Sequence, residues 1–354
     1  MKIRLRQPQL IFEIGQRANQ EDFIYPSQPK EGERLFILCD GMGGHEKGEV
    51  ASRVIAEEMA RYLGARLKDD DILSDDLFRM AFEYACQRLD QMDDGNDSMR
   101  KMGTTLTFLC FHKGGCLAAH VGDSRIYHIR PANRRMLYKS KDHSLVVELY
   151  MAGEISYSEM SSSKQKNVIT RAVMPGKEKR VRADIVHITD IRKGDYFYLC
   201  SDGMMERMGD DELVDIISQN TTDEEKRQRL MTESTSNRDN HSAILLCVDD
   251  VMAEAGDDKY VGDEAVSPFN ALLMRKDEED DDVTVTMPAP SGRKPVNVED
   301  ESTEIIPPVS TDKTRVPPSP KKSNGPSKAR VWGVTILWAL VSAALAAALF
   351  YFIL

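Results

Sequence analysis

Residues 35–45, with the sequence LFILCDGMGGH, join an unbroken apolar run to one acidic residue and a group of glycines. Leu35–Cys39 predicts a strand buried on both faces, because apolar residues occupy consecutive positions. Asp40 follows where that strand ends, and the glycines beside it let backbone carbonyls approach a ligand. Further on, Val50–Leu63 carries apolar residues at helical spacing. This part of the chain therefore predicts a strand, an acidic loop and a helix in succession.

The same kinds of pattern continue to about residue 250. Asp75–Leu89 predicts a second helix with Ser74 as its N-cap, and Glu212–Gln219 and Asp223–Glu233 predict two more. Between the helix pairs and after them lie short apolar runs that predict strands: Thr104–Phe111, Cys116–His120, Arg125–Ile129, Asp184–Ile188, Asp195–Cys200 and Ala243–Val248. This order favours an α+β fold, with sheets covered by helices, over a doubly wound parallel sheet.

Charge and cysteine content narrow the class of protein. The 47 basic and 58 acidic residues give a net charge of -11, which argues against a nucleic-acid partner. The 6 cysteines form no CxxC pair, and most of them fall in strand-like apolar runs. This usage is typical of reduced cysteines in a protein core, and we expect a reducing compartment.

Composition divides the chain into a folded domain over residues 1–250, a linker over residues 251–330 and an apolar segment over residues 331–354. The linker contains the acidic block 277–282 and is otherwise rich in Pro, Ser, Thr and Lys. Such a segment buries too little apolar surface to offset its ordering entropy, so we expect it to be disordered.

Residues 331–354 have no charged side chain and predict a transmembrane helix. As a helix, the segment would be roughly 36 Å long, against about 30 Å for the hydrocarbon core of a bilayer. The alternative is a buried core helix. Basic residues before a spanning helix stay on the cytoplasmic side, so we expect a single-pass C-terminal anchor in membrane lipid with the folded domain in the cytoplasm. The basic residues concerned are Lys321, Lys322, Lys328 and Arg330.

Acidic residues recur at predicted strand ends, beside glycine or asparagine. One such site is usually an ordinary turn. Several in one domain favour a site for hard divalent cations, which prefer carboxylate and carbonyl oxygens, and no His or Cys cluster has zinc spacing. Two cations sharing a carboxylate would activate water and hold a phosphoryl group. The sites are Asp40–Gly41, Gly122–Asp123, Asp202–Gly203 and Asp239–Asn240, and near the start Glu21 and Asp22, with Arg17 before them, add two more carboxylates.

Taken in order, these motifs resemble those of the PPM (type 2C) family of metal-dependent protein serine/threonine phosphatases, in its bacterial form. The resemblance covers roughly residues 8–250 and implies a four-layer α-β-β-α sandwich of two antiparallel sheets flanked by helices. The motifs are Arg-x-x-x-Glu-Asp, Asp-Gly-Met-Gly-Gly-His, Gly-Thr-Thr, Gly-Asp-Ser-Arg, Asp-His-Ser, Ser-Asp-Gly and Asp-Asn.

The resemblance implies a binuclear Mn²⁺ or Mg²⁺ centre. In it, Asp40 bridges the two ions and the Gly41 carbonyl binds one of them, while Asp202 and Asp239 complete the other. Glu21 contributes directly or through water. The resemblance also implies a third, more weakly held ion at Asp123, for which a structural turn is the alternative.

Two further residues take supporting roles by resemblance. Asp22 orients water bound at the metals, and Arg17 holds the substrate phosphate through its guanidinium fork. The alternatives are a surface ion pair between Arg17 and Glu21 and a solvated turn at Glu21–Asp22. The family mechanism is direct attack on phosphorus by water activated at the metals, with no phosphoenzyme.

The chain departs from animal members of the family at Met42, where they carry a histidine that is the candidate general acid; His45 matches the bacterial motif. The polar, Ser-rich segment Met151–Asn167 corresponds to the variable flap beside the family's site. We expect phosphorylated proteins as substrates and a serine/threonine kinase as the opposing partner. A binding module without activity and an enzyme for small phosphorylated metabolites are the alternatives. Linker residues such as Thr284, Thr286 and Thr303 are candidate targets of that kinase.

Overall fold

The computed structural model describes residues 2–43, 47–68, 71–92, 102–177 and 180–252. Nearly all of the predicted domain falls within these ranges. His45, the linker from residue 253 onward and the predicted membrane segment 331–354 lie outside them. Among the described residues, no helix combines the length and apolar character needed to cross a bilayer.

Strands and helices alternate in groups along the described chain. The helices are α1 (Lys47–Gly64), α2 (Asp75–Asp90), α3 (Leu145–Met151), α4 (Tyr157–Ser162), α5 (Asp210–Ile217) and α6 (Asp223–Ser234). The strands are β1 (Lys2–Leu5), β2 (Gln9–Glu13), β3 (Asp22–Tyr25), β4 (Leu35–Met42), β5 (Gly103–Thr104), β6 (Leu106–His112), β7 (Gly115–Val121), β8 (Arg125–Arg130), β9 (Arg135–Lys139), β10 (Asp184–Ile188), β11 (Tyr196–Cys200) and β12 (His241–Met252).

The strands form two antiparallel sheets. One sheet has the order β1-β12-β11-β8-β9, with β2 also paired to β12. The other has the order β10-β7-β6-β4-β3, with the short β5 paired to the end of β4. In the second sheet β3 pairs with β4 so that Asp22 lies opposite Asp40. This register places two of the predicted site carboxylates side by side.

Three layers of apolar side chains hold the sheets and helices together. On β4, Phe36 and Leu38 face the other sheet, whereas Ile37 and Cys39 face α1 and α2. The strand β11 is divided in the same way between the inter-sheet core and the layer under α5 and α6. Because the central strands are buried on both faces, their sequences are continuously apolar. The predicted four-layer arrangement of helices, two antiparallel sheets and helices is confirmed.

Helix starts follow local capping chemistry. The Ser74 hydroxyl accepts a hydrogen bond from the Leu77 N–H, as predicted for the N-cap of α2. Thr222 and Glu225 form a reciprocal capping box at the start of α6, and Ser156 and Glu159 form another at α4. The helix α4 was not predicted, because its segment was assigned as a polar flap without regular structure.

The strands β1, β2, β3 and β9 were also missed. Each is short and none shows the long apolar run used to find the others; on β2, for example, Phe12 is 51% exposed, and on β3 only alternate residues are fully buried. The predicted state of the cysteines is supported, since all 6 lie buried as free thiols.

Candidate metal centre

The backbone around Asp40 is held by two buried threonines. The Asp40 N–H donates to the Thr105 hydroxyl at 2.9 Å, and the Asp40 carbonyl accepts from the Thr104 hydroxyl at 2.9 Å. Both threonines are fully buried beside the end of β4. The Gly-Thr-Thr motif thus fixes the position of the Asp40 carboxyl group without contributing a charge of its own.

Glu21 and Gly41 meet at the start of α1. The Gly41 N–H donates to the Glu21 carbonyl at 3.0 Å, and the Ser52 hydroxyl donates to the same carbonyl at 2.7 Å. A Cβ added to Gly41 would lie 2.2 Å from the Gly48 carbonyl oxygen, so only glycine fits. A Cβ on Gly48 would lie 2.7 Å from Glu21 Oε2. The Glu21 carboxylate therefore rests against α1, next to the Gly41 backbone.

Asn240 connects the segments that carry the other predicted ligands. Its side-chain oxygen accepts from the Glu21 N–H at 2.8 Å, and its side-chain amide donates to the carbonyls of Ile14 and Asn19. A Cβ on Gly203 would lie 2.0 Å from the Asn240 carbonyl oxygen, so the Asp202–Gly203 turn packs directly on this backbone. The sequence analysis gave Asn240 no role, although the Asp-Asn motif marks its position.

The half-buried carboxyl groups of Asp40 and Asp202 act on each other. Burial raises the pKa of Asp202, and the charge of Asp239 raises it further, while a hydrogen bond with Asp40 lowers it. For Asp40 the pKa is raised well above its usual range, first by burial and then by the charges of Asp22, Asp202, Asp123 and Asp239. The predicted ligands therefore lie within electrostatic reach of one another, with more negative charge than their surroundings neutralise.

The carboxyl groups of Asp22 and Asp123 also carry negative charge that their surroundings do not neutralise. Burial raises the pKa of Asp22 to about 7, although its side chain accepts a hydrogen bond from the Ser201 hydroxyl at 2.9 Å. Burial and the neighbouring charge of Asp202 raise the pKa of Asp123 to about 8. The Oδ1 atom of each carboxyl is buried without a hydrogen-bond partner. Asp22 is only 2% exposed and so is not the solvated turn weighed as its alternative, while the metal role of Asp123 stays a prediction.

This donor set fits hard divalent cations. It consists of carboxylate and carbonyl oxygens, with no thiolate or imidazole, which is the chemistry that Mg²⁺ and Mn²⁺ prefer. An unpaired buried carboxylate is costly, and a divalent cation would remove that cost while using the unpartnered oxygens of Asp22 and Asp123. The individual ligand roles remain predictions.

Arg17 lies at the edge of this cluster and pairs with Asp239. Its Nη2 atom donates to Asp239 Oδ2 at 2.6 Å, rather than to Glu21, the partner considered from sequence. The Arg17 side chain is 59% exposed, and that of Asp239 38% exposed. The guanidinium group thus stands at the solvent side of the carboxylates, where an incoming phosphate would arrive.

A different group brings its possible ligand atoms closest together in the described part of the chain. One atom each from His120, His143 and Asp184 lies within 4.8 Å of the others. His143 Nδ1 accepts from the Gly122 N–H at 3.1 Å, so Nε2 carries the proton and donates to Asp184 at 3.1 Å. Both nitrogens are engaged, and we assign this group to structure: it links the turn that bears Asp123 to the Asp-His-Ser segment.

A cavity of about 650 Å³ opens beside the carboxylates. One end is lined by Arg17, Asp123, Asp202 and Asp239. The lining also includes Val146 and Val147 of α3 and four residues of the predicted flap Met151–Asn167: Tyr157, Met160, Lys166 and Asn167. A phosphorylated side chain bound beside the carboxylates would extend toward these residues.

Known proteins share both this sequence pattern and this fold. Residues 13–237 match the family model described as Protein phosphatase 2C. The chain belongs to the protein phosphatase 2C family. Protein phosphatase PhpP of Streptococcus pneumoniae is 31% identical over 252 residues, which cover 69% of this phosphatase chain and 98% of PhpP.

Solved structures of bacterial members agree with the assignment. The crystal structure of the serine/threonine phosphatase PstP/Ppp of Mycobacterium tuberculosis is 28% identical, with a TM-score of 0.61, and the match covers 70% of this chain and 100% of that one. The catalytic domain of PstP in complex with 2 manganese ions gives a TM-score of 0.57 at 28% identity, covering 70% of this chain and 100% of that chain. The predicted family membership is confirmed.

Proposed function

We propose that the domain formed by residues 1–250 hydrolyses phosphoserine and phosphothreonine in proteins with the help of two Mn²⁺ or Mg²⁺ ions. The observation that carries the proposal is the convergence of buried, mutually repelling carboxyl groups at one end of an open cavity, with Arg17 beside them. The named activity of the relatives PhpP and PstP and the manganese ions bound to PstP support it.

Each predicted ligand has a place in this arrangement. Asp40, Glu21, the Gly41 carbonyl, Asp202 and Asp239 would hold the two ions. When bound, the ions lower the pKa of a water molecule and neutralise charge on the phosphoryl group.

Supporting residues lie around this set. The hydrogen bond from Ser201 holds Asp22, which would orient water at the centre. Asp123, with its buried unpartnered oxygen, would hold a third ion more weakly.

Arg17 binds the phosphate in this proposal. Its fork of N–H donors matches the oxygens of a phosphoryl group, and its exposed position leaves it free to turn from Asp239 to substrate. A cation placed at Asp239 would compete with Arg17 for that carboxylate, and this favours the release of the guanidinium toward the phosphate.

The test is phosphate release by the full chain from a phosphothreonine peptide, with Mn²⁺ and with a chelator. We expect turnover with Mn²⁺, none with the chelator, and none from Asp202→Asn. Asp211→Asn is the matched control, since Asp211 lies exposed on α5 and away from the cavity. Equal turnover by Asp202→Asn and wild type would reject the metal assignment. Preference for small phosphorylated metabolites over peptides, or binding without turnover, would favour the two alternative functions.

We also propose that residues 331–354 anchor the enzyme in a membrane, with residues 251–330 as a tether and the catalytic domain in the cytoplasm. The 24 uncharged residues and the basic residues before them support this. Membrane fractionation of the full chain, compared with a chain ending at residue 330, is the test. Recovery of both chains in the soluble fraction would reject the anchor.

A serine/threonine kinase is the proposed opposing partner, and the tether is a proposed substrate of both enzymes. Thr284, Thr286 and Thr303 lie in a segment that keeps them at high effective concentration near the site. Mass spectrometry of the tether, with the kinase active and the phosphatase absent, should find these threonines phosphorylated. Unmodified threonines under those conditions would contradict the proposal.

A further inference from the structure

The charged side chains on the floor of the cavity neutralise one another. Arg125 pairs with Asp142 at 2.6 Å, and Lys139 pairs with Asp210 at 2.5 Å. All four side chains line the cavity together with the carboxylates and the flap residues. They leave no net charge on the floor to attract or repel a substrate.

Two cations at the rim differ from those on the floor. Lys166, in the turn after α4, and Arg238, next to Asp239, are exposed and line the same cavity. Neither side chain has a carboxylate partner within the described ranges; the nearby Glu206 instead accepts from the Arg238 backbone N–H at 2.7 Å. Their charges are therefore available to a bound molecule.

Part of the cavity lining near the flap is apolar. Val146 and Val147 form a small core of their own with Met160 packed against it, and all three line the cavity together with Met205 and Met208. Methionine side chains are flexible and polarisable, so this surface adapts to apolar side chains of different shape. It suits a large apolar residue better than a polar one.

The flap is tied down at its base. The Leu145 N–H donates to the Val168 carbonyl at 2.9 Å, and the Thr170 N–H donates to the His143 carbonyl at 2.9 Å. These bonds join the two ends of the segment 145–170, which contains the predicted flap Met151–Asn167, so Lys166 and Met160 are held beside the cavity. The rim cations and the apolar surface thus form one prearranged surface next to the carboxylates.

We propose that this surface selects phosphoprotein segments with an acidic residue and a large apolar residue close to the phosphorylated one. The proposal rests on the function proposed above and names its substrate class. An acidic side chain would pair with Lys166 or Arg238, whereas a basic one would meet them with like charge. A volume of about 650 Å³ leaves room for a neighbouring side chain beside the phosphorylated one.

The experiment compares three phosphothreonine peptides of equal length with the full chain and Mn²⁺. One carries Asp and Leu near the phosphothreonine, one has Lys in place of Asp, and one has Ser in place of Leu. We expect kcat/KM for the first to exceed that for each of the others by about tenfold.

Lys166→Glu should reverse the preference between Asp and Lys, and Met160→Ser should reduce the preference for Leu. Lys164→Glu and Arg207→Glu, which alter exposed cations outside the cavity lining, should keep the wild-type ratios.

Each outcome decides one of the two proposals. Equal kcat/KM for the three peptides, or the same change of ratio in Lys164→Glu as in Lys166→Glu, would overturn the selectivity proposal while leaving the phosphatase proposal intact. Mn²⁺-dependent hydrolysis of p-nitrophenyl phosphate by wild type shows whether the phosphatase proposal holds independently of the selectivity proposal. If neither that compound nor any peptide is hydrolysed, the proposed function fails and the selectivity proposal fails with it.

Discussion

Two groups of charged side chains meet at the cavity, which is lined by Asp123, Asp202 and Asp210 with Asp40 close to the first two, and their pKa values shift in opposite directions. In the first, Asp40, Asp123 and Asp202 crowd together, and burial with mutual repulsion raises the pKa of each. In the second, burial opposes ionisation of Asp210, but Lys139 and Arg125 outweigh it and the pKa of Asp210 is lowered. Among the described residues, the second group is paired directly with its own cations, whereas the first has only the weaker attraction of Arg125 for Asp123 and Asp202.

The difference separates a structural network from a functional site. Tyr127 also donates to Asp210, at 3.0 Å, so the paired group is complete within the chain. The carboxylate group remains incomplete until cations arrive from solution, and its repulsion lowers stability in their absence. Removal of one carboxylate should therefore have opposite consequences in the two groups.

The largest effect is expected on activity. Asp40→Asn removes a carboxylate proposed to hold the two ions, which supply several kcal/mol of charge stabilisation to the transition state. Mn²⁺-dependent hydrolysis of p-nitrophenyl phosphate should fall by at least about a thousandfold, at 1.4 kcal/mol for each factor of ten. Asp76→Asn, on the exposed face of α2, is the control, with 92% of its side chain in solvent. Turnover by Asp40→Asn within tenfold of wild type would contradict the account.

The next effect is on stability of the paired group. Asp210→Asn removes the carboxylate that pairs with Lys139 and weakly attracts Arg125, which stays paired with Asp142, and the free energy of unfolding should fall by about 3 kcal/mol. Urea unfolding measures the loss. In a chelator, Asp40→Asn should instead leave the urea midpoint unchanged or raise it, because it relieves repulsion. A clear fall for both variants would remove the distinction between the two groups.

Addition of metal should stabilise the carboxylate group alone. At a Mn²⁺ concentration a hundredfold above its Kd, binding to the folded state contributes about 2.7 kcal/mol. The melting temperature of wild type should rise with Mn²⁺, and that of Asp40→Asn should rise far less, whereas Asp210→Asn should respond as wild type does. An equal rise in Asp40→Asn would place the bound metal elsewhere.

A smaller effect is expected from His120, a buried side chain that avoids the cost of burying a charge by remaining neutral. Burial and the neighbouring His143 lower the pKa of His120 to about 4. At a pH between about 6.5, its ordinary pKa, and about 4, its pKa in the folded protein, His120 binds a proton in the unfolded chain but not in the folded one. The free energy of unfolding therefore falls as pH falls through this range. From pH 7 to pH 5 the contribution is about 2 kcal/mol. Urea unfolding of His120→Gln should show a shallower loss over this range, and an unchanged slope would contradict the assignment.

The parts of the fold that could be predicted are those with a local signal. The continuous apolar runs of β4, β6 and β11 follow from burial on both faces, and the Ser74 cap follows from helix chemistry. The strands β2 and β3 have one exposed or mixed face, and their pairing depends on partners distant in sequence. The helix α4 had a usable signal that was overlooked, since Ser156 and Glu159 have the spacing of a capping box.

The residues of the candidate site also fall into those with a local sequence signal and those without one. The acidic residues at strand ends were found because each stands beside glycine or asparagine, and the structure brings Asp40, Asp202 and Asp123 together. Two other contacts join segments that are far apart in sequence. Asn240 bonds to Asn19, 221 positions away, and Arg17 bonds to Asp239, 222 positions away. No local pattern carries that information.

The most direct test is the location of manganese by anomalous scattering in crystals of the full chain or its domain grown with Mn²⁺. The account predicts two strong peaks among Asp40, Asp202 and Asp239, with Arg17 turned away from Asp239. Peaks at the His120, His143 and Asp184 group, or none beside Asp40, would contradict it.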